Sequence, residues 1–197
     1  MWKELFLIAI SAAVIQNLVL TYFLGICPFL GVSKRLDMAF GMGAAVTFVN
    51  TLAGVITFLM QKYVLAPLGI DFLQYIVFIF VIAAAVQLVE MYLRKFFAGL
   101  YEAFGVFLPM ITTNCAILGT CLFIWIKNYT TLVEALVFSV FGGVGFTIAI
   151  VIMAGIREQL DLADVPKPLR GAPIALFVAA ILAMAFTGFA GIGTTPQ

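Results

Sequence analysis

Charge is confined to a few short stretches of this chain, and what lies between them decides what it can fold into. Cutting the 197 residues at every Asp, Glu, Lys and Arg leaves six uncharged runs: Leu5–Ser33, Met38–Gln61, Phe72–Val89, Ala103–Ile126, Ala135–Ile156 and Gly171 to the C-terminus. At ~1.5 Å of helix rise per residue, each run is long enough to cross a hydrocarbon core ~30 Å thick. Ten basic and nine acidic residues fall far short of the roughly 25% charged content of a soluble domain, and 65% of the chain is hydrophobic. A water-soluble core cannot absorb that much apolar surface. Open strands at that depth would leave backbone donors and acceptors unpartnered, and the short alternating segments of a β-barrel are absent. The sequence therefore predicts an all-α membrane protein with six transmembrane helices.

Lys3, followed by an apolar stretch containing Ser11-Ala12-Ala13, has the outline of a signal peptide. The mixed Lys3-Glu4 flank, and an apolar run that continues well past any such cleavage site, favour a retained first span. With six spans, alternate connections place Lys34, Arg35, Arg94, Lys95, Arg157, Lys167 and Arg170 on one side and only Lys3, Lys62 and Lys127 on the other. The positive-inside rule puts the richer side in the cytoplasm and both termini outside. A net charge of +1 carries no sign of nucleic-acid binding.

An even number of spans invites a search for two halves related by a pseudo-two-fold axis. Cys27-Pro28-Phe29-Leu30-Gly31 in the first span and Cys115-Ala116-Ile117-Leu118-Gly119 in the fourth both read Cys-x-x-Leu-Gly. They open two units, residues 1–95 and 96–197. With three spans per unit, the second is expected to be inverted relative to the first. Both spans also carry helix breakers beside the cysteine. Pro28 removes a backbone donor and biases Cys27 away from helical geometry, with Gly25 just before it. Pro109 precedes the polar run Thr112-Thr113-Asn114, directly ahead of Cys115. Interrupted helices at corresponding positions of two halves point to a functional site within the membrane, because freed backbone groups persist there only where something satisfies them. An ordinary proline kink is the plainer alternative for either span. Depth strains the pairing: along a straight helix, Cys27 falls ~33 Å from Leu5 and Cys115 ~18 Å from Ala103. They match only if the first span begins outside the hydrocarbon or doubles back at its break.

The chain has no histidine. Bis-histidine haem, Rieske ligation, zinc-hydrolase ligand sets and serine–histidine chemistry are excluded together. Thiolate remains as a metal ligand. Cys121, alone in an apolar helix, reads as a small buried hydrophobe. Cys27 and Cys115 differ, since both sit at interruptions and share a motif; a disulfide between them would leave the flanking breakers unexplained. Two thiolates are half of what an iron–sulfur cluster needs, and the other two would come from another chain. A bound metal would also keep them deprotonated and offset their charge in hydrocarbon. Gly41-x-Gly43 and Gly142-Gly143-x-Gly145 lie in spans with no strand before them, so close helix packing explains them better than nucleotide binding. Glu90 and Glu102 sit at run ends, and no carboxylate lies well inside a span, so no proton relay is evident. Gln16, Asn17, Asn50, Gln87 and Asn114 read as buried polar groups that join helices or line an ion path. Arg157–Arg170, the longest charged loop, reads as a solvated connection.

Asn17-Leu-Val-Leu-Thr-Tyr-Phe-Leu-Gly-Ile-Cys-Pro-Phe-Leu-Gly-Val-Ser-Lys34, Phe107-Leu-Pro-Met-Ile-Thr-Thr-Asn-Cys-Ala-Ile-Leu-Gly119 and Gly155-Ile-Arg-Glu158 followed by Asp164-Val-Pro resemble the RnfA family, one of the membrane components of the Rnf ion-translocating electron transport complex. The similarity covers essentially the whole chain. The NqrE component of the Na⁺-translocating NADH:quinone reductase is homologous and is the nearest alternative; Cys27-Pro28-Phe29 and Thr112-Thr113-Asn114 favour the Rnf family.

The resemblance implies a six-helix subunit of two inverted three-helix repeats, with interrupted first and fourth spans, in a bacterial or archaeal cytoplasmic membrane. It implies pairing with the homologous RnfE protein in opposite orientation, and a 2Fe-2S cluster held between them within the membrane. Cys27 and Cys115 would supply this chain's half of the ligands, with Gly25, Pro28, Thr113 and Asn114 around them. The complex passes electrons between reduced ferredoxin and NAD⁺ and moves Na⁺ or H⁺, so this chain would belong to a translocase without carrying a complete active site. Flavins and further clusters would sit on other subunits; a Ser-Gly-Ala-Thr flavinylation motif and a multi-cysteine ferredoxin run are both absent here. A carrier at mid-membrane divides a ~30 Å slab into two gaps of ~15 Å, and the broken spans would then act as a gate whose state follows the charge of the cluster. Two other readings stand beside this one: a secondary transporter built of inverted repeats, for which paired cysteines are unnecessary, and a membrane scaffold without a redox role.

Overall fold

The computed structural model describes residues 2–68, 71–96, 111, 114–127, 129, 131–163, 166 and 170–193. Among the described residues the protein is all helical, with no strand. Helix α1 (Trp2–Ile10) runs into a π-helical turn, Ser11–Ile15, and the chain then leaves helical geometry until α2 (Ile26–Val32). Helix α3 (Leu36–Met60) continues through a second π-helical turn, Gln61–Leu65, and a final turn, Ala66–Leu68. A 3₁₀ turn, Asp71–Leu73, leads into α4 (Gln74–Phe96); α5 (Cys115–Ile126), α6 (Leu132–Asp161) and α7 (Ala172–Gly193) follow.

Three stretches, Leu36–Leu65, Gln74–Met91 and Leu132–Asp161, are long and apolar enough to cross a membrane as unbroken helices, and Cys115–Ile126 and Ala172–Gly188 are shorter apolar helices. The first run is divided into α1 and α2 by its break. In the fourth, α5 begins at Cys115 after Ile111, which is helical, and Asn114, which is not, while Glu102, Pro109, Thr112 and Thr113 lie outside the described residues. The surface is apolar where lipid is expected: Ile76, Ile79 and Phe80 on α4 and Phe177, Ile181 and Met184 on α7 are all more than half exposed. Contiguous exposure on that scale is rare on a soluble monomer.

The bundle is centred on α3 and α6, which make its most extensive contact. They run antiparallel, since Gly43 meets Thr147 while Gly54 meets Ser139. The contact is reciprocal. A Cβ on Gly43 would lie 2.5 Å from Thr147 Cγ2, and one on Gly143 would lie 2.6 Å from Thr47 Cα. Thr47 and Thr147 each donate a hydroxyl to the carbonyl of the glycine four residues earlier, at 2.8 and 2.9 Å, and their hydroxyls stand 3.2 Å apart. Small residues let the two backbones approach, and dispersion rather than water expulsion holds them, because lipid is as apolar as a leucine side chain. Gly43 and Gly143 are therefore packing residues. Asn50 Nδ2 adds a 2.7 Å hydrogen bond to the Ser139 carbonyl, joining the same two helices. Around this pair, α4 packs on α3 and α5, and α7 packs on α2, α6 and the π turn after α1.

Two readings of the sequence are corrected. Arg157 is not part of a solvated loop: α6 continues through Asp161, and Arg157 Nη1 turns inward to donate to the Leu30 carbonyl at 2.7 Å and to Ser33 Oγ at 2.8 Å. The carbonyls at the end of seven-residue α2 have no partners within their own helix, and a guanidinium on a neighbouring helix supplies one. Gln87 is not buried but lies on the exposed face of α4. At the other end of α6, Thr131 and Glu134 form a capping box, which explains why the helix begins ahead of the uncharged run.

Gly143→Ala is expected to destabilise the protein by about 1–3 kcal/mol, since a backbone atom blocks the added methyl. Gly155→Ala, with nothing within 4 Å of the added carbon, should be neutral or stabilising by up to about 1 kcal/mol; thermal midpoints in detergent check the pair. Arg157→Ala strands the Leu30 carbonyl and the fully buried Ser33 hydroxyl, a loss of about 1–3 kcal/mol. Amide hydrogen exchange should accelerate about tenfold or more over 26–33 and stay unchanged over 115–126; equal acceleration in both segments would show that Arg157 does not act locally.

Candidate cofactor site

The site is built from two helix starts, and the break in the first span makes the meeting possible. Asn17, fully buried, organises that break. Its Nδ2 donates to the Ala13 carbonyl at 3.3 Å and to the Gly145 carbonyl of α6 at 2.8 Å, while Oδ1 accepts from the backbone N–H groups of Val19 and Leu20 at 3.1 and 3.4 Å. Thr21 N–H reaches the Asn17 carbonyl and Leu24 N–H the Leu18 carbonyl, both at 2.9 Å. One amide side chain thus replaces hydrogen bonds that a continuous helix would have supplied.

Phe23 (φ 57°) and Gly25 (φ 82°) both adopt the left-handed conformation. That conformation costs a residue with a side chain roughly 1–2 kcal/mol and costs glycine almost nothing. Glycine is required at 25 on a second count: an added Cβ would stand 2.9 Å from the Phe146 ring, 3.1 Å from Ala116 Cβ and 3.1 Å from Asn114 Oδ1.

The depth mismatch disappears in this geometry. Asn17 meets α6 at Gly145 and Gly25 meets it at Phe146. Eight residues advance the chain by almost nothing along α6, where a helix would climb about 12 Å. The first span doubles back at its break, and the two motifs arrive at one level.

Cys115 is the first residue of α5, and buried Asn114 is its N-cap, with Oδ1 accepting from Ala116 N–H at 3.0 Å. Such a cap contributes about 1 kcal/mol. Gly25 N–H donates to Cys115 Sγ at 3.0 Å, a direct contact between the two interrupted spans. Cys27 is the second residue of α2, followed by buried Pro28 in the first turn, where a missing N–H costs nothing. Gly119, last residue of the second motif, takes the Leu24 side chain where its own Cβ would be, 2.5 Å away. Cys27 and Cys115 are exposed free thiols on this chain, and Cys121 is a buried one. Asn114 Nδ2 is buried beside Cys115 and has no hydrogen-bond partner among the described residues.

The donors suit half of a thiolate-ligated centre. Cys115 opens α5, where the positive end of the helix dipole favours an anionic sulfur, and Cys27 lies in the first turn of α2. No group of three or more potential metal ligands occurs among the described residues. Of the residues expected around the cysteines, Gly25 and Asn114 are brought together here, Pro28 lies beside Cys27 in the first turn of α2, and Thr113 lies outside the described residues. Sequence reasoning misses Arg157 as a residue that supports the site, because it follows an uncharged run and reads as loop. Its place in Gly155-Ile-Arg-Glu158 is the available signal.

The chain matches the Rnf-Nqr family, described as Rnf-Nqr subunit, membrane protein, over residues 5–193. It is 54% identical to the A subunit of the Na⁺-translocating ferredoxin:NAD⁺ oxidoreductase complex of Acetobacterium woodii, over 95% of this chain and 97% of that protein. It is 52% identical to the A subunit of the ion-translocating oxidoreductase complex of Syntrophotalea carbinolica, over 96% and 98% of the two chains. The protein of the same name from Alkalilimnicola ehrlichii is 47% identical over 96% and 97%. Agreement over nearly the full length of these relatives, together with an apolar helical bundle, shows that this chain belongs to the Rnf-Nqr family of membrane subunits.

Proposed function

We propose that this chain is the RnfA component of an Rnf-type ion-translocating ferredoxin:NAD⁺ oxidoreductase, and that it supplies Cys27 and Cys115 to a 2Fe-2S cluster shared with the homologous RnfE protein. The observation that carries this reading is the 3.0 Å contact between Gly25 N–H and Cys115 Sγ, which draws the two broken spans together with both thiols exposed. The relatives' names support membership of such a complex. When bound, the cluster supplies one-electron transfer within the membrane. The protein's own residues prepare the place: Gly25 N–H donates to sulfur, and the orphan Nδ2 of Asn114 is a second donor in reach of the same end of α5. Asn17 and Arg157 hold the two ends of the interrupted segment, so Cys27 is carried on a short helix fixed at both sides.

On this reading the protein has six spans in two inverted repeats, 1–95 and 96–197, with both termini outside. The reciprocal Gly43/Thr147 and Gly143/Thr47 contact supports it, because a two-fold relation between halves requires that each partner meet the other's equivalent. The antiparallel course of α3 and α6 is what inversion demands of the second and fifth spans. Electron transfer is coupled to movement of Na⁺ or H⁺, with the broken spans as the moving part.

Iron content and electron paramagnetic resonance of the dithionite-reduced complex, purified with its partner subunits, test the assignment. A 2Fe-2S signal should vanish in Cys27→Ser and in Cys115→Ser while assembly survives. A signal unchanged in both would discard the ligand assignment and return the transporter and scaffold readings. Gly25→Ala should alter the g-values or shift the midpoint potential of the same signal, through loss of the sulfur hydrogen bond, while leaving the iron content of the assembled complex largely intact.

A further inference from the structure

We propose a lipid site, separate from Cys27 and Cys115, in the pocket beside the C-terminal end of α3: it holds the head region of an anionic glycerophospholipid, with Lys62 at the phosphate and Gln61 at the hydroxylated head. The pocket has a volume of about 350 Å³ and is walled by α3, α4 and the end of α5, among them Phe58, Phe78, Trp125 and Tyr129. That is large enough for a ligand's recognition portion. It forms where α3 widens into the π-helical turn Gln61–Leu65, a distortion that recurs at functional sites.

Gln61 marks the pocket as built for an occupant. It is 3% exposed, lines the cavity, and neither Oε1 nor Nε2 has a hydrogen-bond partner among the described residues. The large majority of buried side-chain polar atoms in native proteins have a partner, and here both polar atoms of one amide lack one. An occupant that satisfies both atoms must offer a donor and an acceptor close together, which a hydroxyl does. Lys62 follows at once. Its Nζ lies 5.8 Å from the Phe58 ring centroid, and no carboxylate among the described residues is within ion-pairing distance. The occupant is therefore anionic near Lys62, hydroxylated near Gln61 and apolar along the aromatic walls.

Position selects a lipid over a soluble anion. Lys62, Trp125 and Tyr129 are the residue types that gather at a membrane–water boundary, and here they stand at helix ends. Lys127, at the end of α5, is already engaged by Gln16 Oε1 and by the Phe138 ring at 5.0 Å, so the recognition charge falls to Lys62. A free phosphate would leave the aromatic walls unfilled. An acyl chain entering from the bilayer fills them.

Trp125 reports on the site directly. The chain has two tryptophans, so Trp2→Phe leaves Trp125 as its sole fluorophore of that kind. The full chain, reconstituted in phosphatidylcholine vesicles, is titrated with phosphatidylglycerol or phosphatidylcholine carrying brominated acyl chains, which quench on contact. The phosphatidylglycerol should associate about three- to fivefold more strongly, the scale expected of one lysine at an anionic headgroup. Lys62→Gln should abolish the preference, while Lys62→Arg and Lys127→Gln retain it. Equal quenching by the two lipids overturns the proposal, as does a preference that survives Lys62→Gln in protein with unchanged thermal stability. Loss of the preference on adding inorganic phosphate to the aqueous phase would assign the pocket to a soluble anion and overturn the lipid assignment.

Discussion

A backbone that leaves the helical ladder inside an apolar bundle must find partners for every group it frees, and the architecture of this protein follows from how residues 16–25 do so. Water is not available there to take up the unmet bonds. Asn17 uses both amide hydrogens and its oxygen, spanning from the end of the first π-helical turn to the carbonyl of Gly145. That carbonyl can serve because Gly145 has no side chain between it and the first span; a Cβ there would lie 2.6 Å from the Ala13 carbonyl oxygen. Two residues, 128 positions apart, are thus halves of one device. Neither the break nor the glycine is intelligible without the other.

The same logic links the bundle's centre to its site. Close approach of α3 and α6 through Gly43 and Gly143 fixes the surface of α6 against which the first span breaks. The break then spends eight residues at one level, and only for that reason does Gly25 come abreast of Cys115. Had the span stayed helical, Cys27 would have passed Cys115 by about two further helical turns, and the two motifs would belong to different layers of the membrane. Packing of glycine against threonine at the centre, an amide at the break and a thiol at the second helix start form one chain of dependence. Each link places the next.

Much of this is legible in the residues and some is not, for physical reasons. The uncharged runs mark where the long apolar helices Leu36–Leu65, Gln74–Met91 and Leu132–Asp161 lie, because burial in hydrocarbon penalises charge wherever it falls. The Cys-x-x-Leu-Gly pair marks the two spans that meet at Gly25 and Cys115, because helix breakers inside such runs demand compensation. The glycines of α3 and α6 read correctly as packing residues. Depth cannot be read, because counting assumes a constant rise per residue and the break suspends it. Arg157 is misplaced by sequence alone because charge at the end of an apolar run ordinarily marks exit from the membrane, and nothing local reveals a carbonyl of Leu30 waiting 127 positions away. Gln87 is misplaced because an amide in an apolar helix is usually turned inward, and its exposure on α4 depends on which neighbours that helix has. The reciprocity of Thr47 and Thr147 has a faint trace in the two Gly-x-x-x-Thr stretches, Gly43–Thr47 and Gly143–Thr147, but only the fold shows that they face each other.

On the proposed function, the short helix α2 is where charge and conformation meet. It has seven residues, too few to be stable alone, and is held from outside at both ends: Gly25 touches Cys115 Sγ before its first turn, and Arg157 grips Leu30 and Ser33 at its last. Negative charge gained at Cys115 strengthens the Gly25 N–H bond, and charge lost weakens it, because a hydrogen bond to an ionised acceptor is roughly twice as strong as one to a neutral acceptor. Gly25 is also the hinge from which α2 departs, in a conformation that glycine alone adopts without strain. A change of charge at the sulfur therefore acts on the pivot of the one helix whose own hydrogen bonds cannot hold it in place. On that function the Arg157 clamp at the far end would limit the response to a tilt about that pivot instead of a loss of the helix, and a tilting half-helix would be the kind of element that opens an ion path to one side of the membrane at a time.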